Sequence, residues 1–180
     1  MGLLEKACEE FHNIFGEAPC AYGMAPGRVE IIGNHTDYND GFILAAAIDR
    51  HIVVCGKPIA GDRAKVYAST FRAGESFNVT SPTKTKDNFW INYLAGVVQA
   101  LQARDVRIGA FQAVVMGDIP LGAGLSSSAA LEVATAFFLK QIYPFAMDSI
   151  SLARLCHCLL YTSDAADDLL CVDLGGRRII

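Results

Sequence analysis

Pro120–Ala130 reads PLGAGLSSSAA. An alternating apolar run, Phe111–Met116, precedes it, and a long apolar-periodic segment, Leu131–Ile142, follows. The pattern predicts a strand, a glycine loop and a helix. Gly122 and Gly124 let the backbone turn tightly and approach a ligand with no Cβ in the way. Ser126, Ser127 and Ser128 fall where the helix begins. Their hydroxyls and the uncapped N–H groups of the first turn are expected to point at one spot, which favours an anion such as phosphate. No GK[ST] triplet follows, so this is not a Walker A loop. Ser127 stands where a dinucleotide fingerprint wants its third glycine, and the loop is not at a first βα turn. Without a loop lysine, phosphate charge must be met by backbone N–H groups, serine hydroxyls and a metal ion. Mg²⁺ prefers oxygen ligands, and a serine hydroxyl is a suitable single protein contact. The bland alternative is a flexible turn with helix-capping serines.

Outward from this loop, Leu4, Cys8, Phe11 and Phe15 repeat at helical spacing, which predicts an amphipathic helix over residues 3–15 that Gly16 ends. Tyr22–Met24 and Val29–Ile32 read as short strands separated by APGR. GNHTDYNDG follows, dense in turn formers. Phe42–Ile48 and His51–Lys57 read as two strands with a turn near Asp49-Arg50. Lys65–Ser69 and Phe77–Val79 are weaker strands. Asp87 or Asn88 is placed to cap a helix through Ala103 that buries Trp90, Leu94, Val97, Val98 and Leu101. Asp148 or Ser149 is placed to cap a last helix, SLARLC. Grouped strands with helices between them predict an α+β domain.

The chain has 180 residues and a formal net charge of −4, enough for one domain with a core of its own, or one and a part. Apolar residues make up 52%, yet no uninterrupted apolar run approaches the ~18 residues of a membrane span. The N-terminal segment lacks the basic start and apolar stretch of a secretory signal. Nothing is basic enough for nucleic-acid binding. The six cysteines are scattered, and CHC at Cys156–Cys158 is not a zinc spacing. Reduced thiols and a cytoplasmic location are expected, with neither a nucleic-acid nor a membrane partner.

A second polar constellation is Arg28–Asp40, RVEIIGNHTDYND. Asn34, His35, Thr36, Asp37 and Tyr38 crowd one loop, and several of them can donate and accept hydrogen bonds to neighbouring hydroxyls, as a polyol or sugar requires. Arg28 is a fixed cation suited to phosphate or a developing oxyanion. An ordinary polar loop with Asx turns is the bland alternative. His12, His51 and His157 are given no role. Glu132, four residues into the loop helix, is read as solvated rather than as a partner of phosphate-bound Mg²⁺.

Together the two stretches are far more specific than either alone. APGRVEIIGNHTDYNDG resembles the galactokinase signature, and PLGAGLSSSAALEVA resembles the ATP loop of the GHMP small-molecule kinases; their order and spacing agree with galactokinase. The likeness runs from near residue 5 to about His157. It implies a domain resembling ribosomal protein S5 domain 2, with helices against a mainly antiparallel sheet, incomplete here. It implies transfer of the ATP γ-phosphoryl group to the C1 hydroxyl of galactose, with Mg²⁺ required and a monomeric parent enzyme. Gly122, Ala123, Gly124, Leu125, Ser126, Ser127 and Ser128 would hold the ATP phosphates, and Ser128 would contact Mg²⁺. Asn34, His35, Thr36 and Asp37 would hold the sugar, and Arg28 would stabilise the transferring phosphoryl group.

Two departures qualify the likeness. Familiar galactokinases have Glu at the position of Asn34, so another sugar is an alternative substrate; a non-catalytic galactose- and ATP-binding sensor is a second alternative. The family's acidic metal ligand and catalytic aspartate, in a CGIMDQ-like stretch beyond SSSAALEVA, are not found, and neither is its C-terminal domain. The last stretch, CLLYTSDAADDLLCVDLGGRRII, resembles nothing in the family and resembles translated read-through of a sequencing adaptor. The expected division is therefore a GHMP kinase domain over 1–157 and a non-native tail over 158–180, with little or no kinase activity in the chain as written.

Overall fold

The computed structural model describes residues 1–32, 44–85 and 88–162, with side chains as far as residue 156. Along the chain run α1 (Leu3–Phe15), β1 (Ala21–Ile32), β2 (Leu44–Pro58), β3 (Arg63–Ala68), β4 (Ala73–Asn78), α2 (Ile91–Gln102), β5 (Phe111–Gly117), α3 (Ser127–Ile142) and α4 (Ser149–Thr162). The strands form one sheet in the order β1-β2-β5-β3-β4. All neighbours are antiparallel except β3 and β5, which are parallel. The α+β class expected from the sequence is the one observed.

Helices cover both faces of the sheet. On β2, side chains alternate between the two sides as strand geometry requires. Ile52 and Val54 join the main core, where α2, α3 and α4 pack, and Val53 and Cys55 join a smaller cluster with Ala7 and Phe11 of α1 and Val114 of β5. Burial on both faces explains why Ile52–Gly56 is buried without interruption. Gly16 closes α1 in the left-handed conformation at φ 74°, as expected of a glycine just past a helix end. Asp148 caps α4: its Oδ1 accepts the N–H groups of Ile150 and Ser151, each at 2.9 Å. Bonds from Ser151, backbone first, hold its carboxyl below the usual carboxylate range. α4 continues past His157 to Thr162. No helix among the described residues is long and apolar enough to cross a membrane.

Three sequence expectations are corrected. APGR does not separate two strands; β1 runs through it. β1 lies at the sheet edge, where a proline is tolerated because one side of the strand needs no ladder bonds. Nor do Asp49 and Arg50 turn the chain. Pro26 pairs with His51 and Arg28 with Ala47, so Gly27 alone faces Ile48, Asp49 and Arg50. The apparent turn is a bulge in one long strand. It is tied from the end of β5, where Asp118 Oδ1 accepts the His51 N–H at 2.6 Å and the Asp118 N–H donates to the His51 carbonyl at 3.1 Å. Finally, α2 begins at Ile91 with Trp90 at the N-cap. The Asn88 side chain bonds Glu75 on β4 instead of capping, and Asp87 lies outside the described residues. The expected buried stripe Trp90, Leu94, Val97, Val98 and Leu101 is present.

Candidate active site

α3 sits on β1 through small residues. Ala21, Gly23, Ala25 and Gly27 face it, while Tyr22 and Met24 on the other side of the strand are exposed. A Cβ on Gly23 would lie 1.9 Å from the Ala134 carbonyl oxygen, so only glycine permits this approach. The same packing brings the two sequence motifs together. The Arg28 N–H donates to the Leu125 carbonyl at 3.0 Å, and a Cβ on Gly27 would lie 2.8 Å from that same oxygen. The start of the polar signature is thereby bonded to the middle of the glycine-serine loop.

At this junction lies a cleft of about 310 Å³. Pro26, Gly27 and Arg28 of β1 form one wall and Ala45–Ala47 of β2 another, with Ser126 and the first turns of α3 completing it. Gly122 and Gly124 both take positive φ, 68° and 66°, as the tight turn requires. Ser126 is also left-handed, at φ 57°, an uncommon conformation for a residue with a Cβ and one that concentrates at functional sites. No side chain caps α3, so the reading of the serines as helix caps is not supported. The uncapped N-terminus borders the cleft, and that end of a helix favours an anion.

The three serines do not converge on one spot. Ser126 lines the cleft. Ser128 donates its hydroxyl hydrogen to the Tyr93 oxygen on α2 at 3.0 Å. Its oxygen keeps lone pairs for a cation, so a single hydroxyl contact to Mg²⁺ fits the donor chemistry. Gly122, Ala123, Gly124, Leu125 and Ser127 complete the loop, with Gly122–Gly124 exposed. Among the described residues no group of three or more His, Cys, Asp or Glu is placed to hold a metal. Arg28 lines the cleft and pairs with Glu30 Oε1 at 3.2 Å, with 46% of its side chain exposed. Asn34, His35, Thr36, Asp37 and Tyr38 lie outside the described residues.

Glu132 departs from its sequence reading. It is neither solvated nor in the cleft: it is 1% exposed, and its Oε2 has no hydrogen-bond partner among the described residues. Burial pushes its carboxyl up from 4.5 to about 8. Cys156 of α4 is close enough that its thiol, pushed up to about 12 chiefly by burial, also feels the Glu132 charge. Tyr93 and Asp118 were not singled out in the sequence. Tyr93 sits in a helix that reads as core, and Asp118 matters only through a strand far away in the chain.

With this geometry in view, the class follows. Residues 92–176 match the N-terminal domain of the GHMP kinases, and the chain has the fold of that domain. Residues 9–58 match the galactokinase galactose-binding signature. The crystal structure of Lactococcus lactis galactokinase complexed with galactose superimposes with a TM-score of 0.82 at 27% identity, over 97% of this chain and 45% of that one. The chain thus spans under half the length of that enzyme. Methanococcus jannaschii mevalonate kinase matches with a TM-score of 0.66 at 17% identity, over 80% of this chain and 47% of that one. Streptococcus pneumoniae phosphomevalonate kinase, solved in complex with phosphomevalonate and AMPPNP, gives 0.63 at 16%, over 82% and 44%. The last two share the fold.

Proposed function

We propose that this chain is the part of a sugar kinase that binds both substrates, and that the parent reaction moves the γ-phosphoryl group of ATP to the C1 hydroxyl of galactose. The observation that carries the proposal is the hydrogen bond from the Arg28 N–H to the Leu125 carbonyl. It fixes the signature that would grip the sugar against the loop that would grip the phosphates. In this reading the first-turn N–H groups of α3 and the backbone of Gly122–Ser126 bind phosphate oxygens. Arg28, at the cleft wall, neutralises charge on the transferring group. Phosphoryl transfer depends chiefly on such positioning and electrostatics. Asn34, His35, Thr36 and Asp37 hold sugar hydroxyls. Ser128 would hold Mg²⁺ through its oxygen while Tyr93 takes its hydrogen, and the ion would shield phosphate charge that no loop lysine meets.

Equilibrium binding to the chain itself tests this reading. Galactose is expected to bind more tightly than its C4 epimer glucose. Asp37→Ala should weaken galactose about 10- to 100-fold, because hydrogen bonds to a charged group contribute about 1.5–3 kcal/mol. Equal binding of the two sugars, or no effect of Asp37→Ala, would overturn the sugar assignment. A panel including other hexoses and sugar acids checks whether Asn34 redirects specificity.

A further inference from the structure

On the sheet face opposite the cleft, α1 lies over β2 and β5. Cys8 of α1 packs into the cluster that contains Cys55 of β2, and it lies near enough to help push the Cys55 thiol up. Cys55 is fully buried, whereas Cys8 is partly exposed. Both are free thiols, far apart in sequence and brought into one cluster only by the fold. From this juxtaposition we propose that Cys8 and Cys55 are an oxidation site: a thiol pair that a disulfide oxidant converts to an intramolecular disulfide, locking α1 to the sheet without entering the substrate cleft.

The order of events follows from exposure. Burial, reinforced by Cys8, pushes the Cys55 thiol up to about 12, so Cys55 is neither reachable by an oxidant nor ionised at neutral pH. Cys8 reacts first. Its thiolate attacks one sulfur of glutathione disulfide, forming a mixed disulfide and releasing one glutathione thiolate. The Cys55 sulfur, losing its proton, then attacks the Cys8 sulfur and expels the second glutathione thiolate. The two protein thiols are oxidised, glutathione disulfide is reduced to two glutathione molecules, and the two thiol protons end on them. Because both side chains pack in one cluster, a side-chain rotation and a small approach of α1 would bring the sulfurs to the ~2.05 Å of a bond.

The test is to incubate the folded chain with glutathione disulfide, alkylate the remaining thiols and map the peptides by mass. The expected product is a Cys8–Cys55 peptide pair lighter by two hydrogens. Its closed loop of about 50 residues should raise the thermal midpoint by roughly 5–10 °C, reversibly with dithiothreitol. Cys8→Ser, at a partly exposed position, should keep the fold and show no such rise. Cys55→Ser, which can disturb the core, is not needed. Accumulation of glutathionylated Cys8 with Cys55 still alkylatable after unfolding, or pairing of Cys8 with Cys20 instead, would overturn the proposal.

Discussion

Glu132→Gln is expected to make the protein more stable at pH 7.5, by roughly 3 kcal/mol, and to remove most of the pH dependence of its stability. The native carboxyl keeps its proton until about pH 8, whereas a free glutamate releases it near 4.5. Between those values the unfolded chain binds fewer protons than the folded one. Stability therefore falls as pH rises through this window, by about 4 kcal/mol at pH 7.5. Glutamine has nearly the same shape and no charge to desolvate. It gives back part of the gain because a buried amide without full hydrogen bonding costs about 1–3 kcal/mol. Below pH 4.5 both side chains are neutral, and only the amide's cost of about 1 kcal/mol remains, now against the variant. Urea unfolding at half-unit steps from pH 4.5 to 8 reads this directly. Parallel curves for the two proteins would show that Glu132 is solvated or paired in solution, against its buried position, where Oε2 meets no hydrogen-bond partner among the described residues.

Gly23→Ala is expected to destabilise the chain by about 3 kcal/mol, toward the upper end of what a single added methyl group does in a packed core. The reason is geometric. The new Cβ would sit 1.9 Å from the Ala134 oxygen and 2.6 Å from the Phe138 nitrogen, both backbone atoms that cannot swing aside. α3 would have to move off β1, taking the Ser126 end of the cleft with it. Gly74→Ala is the matched control. There the nearest atom would be the Tyr67 ring Cδ2, at 3.7 Å, an ordinary contact, and stability should change little. Denaturant midpoints for the two variants decide the matter, and equal effects would mean that the β1–α3 approach is looser in solution.

The glycine turn and the helix that follows it were legible in the sequence; their assembly against β1 was not. Gly122 and Gly124 announced the left-handed turns they make, because the residue type and the backbone demand are one local fact. Ser126 hid its own left-handed conformation, since nothing local to a serine requires it. The serines also looked equivalent on paper, but helix geometry sends successive side chains in different directions. Ser126 therefore meets the cleft while Ser128 reaches Tyr93. Glu132 was misread for a related reason. A charged residue on a helix is usually solvated, and only the placement of α4 beside α3 reveals that this one is enclosed.

By itself the sequence determined what is local. The apolar spacing of α1, the run of β5 and the glycine loop into α3 were settled by neighbours within a few residues. Tertiary structure alone decided three things. It turned two apparent breaks, APGR and Asp49-Arg50, into an edge-strand passage and a bulge, because ladder bonds from a partner strand hold a backbone that its own propensities would turn. It bonded Arg28 to Leu125, joining the start of the polar signature to the glycine-serine loop far along the chain. And it set Cys8 against Cys55 on the far face. Each is a contact between distant segments, created when the sheet and helices bury their apolar faces together, and no local stretch of chain encodes it.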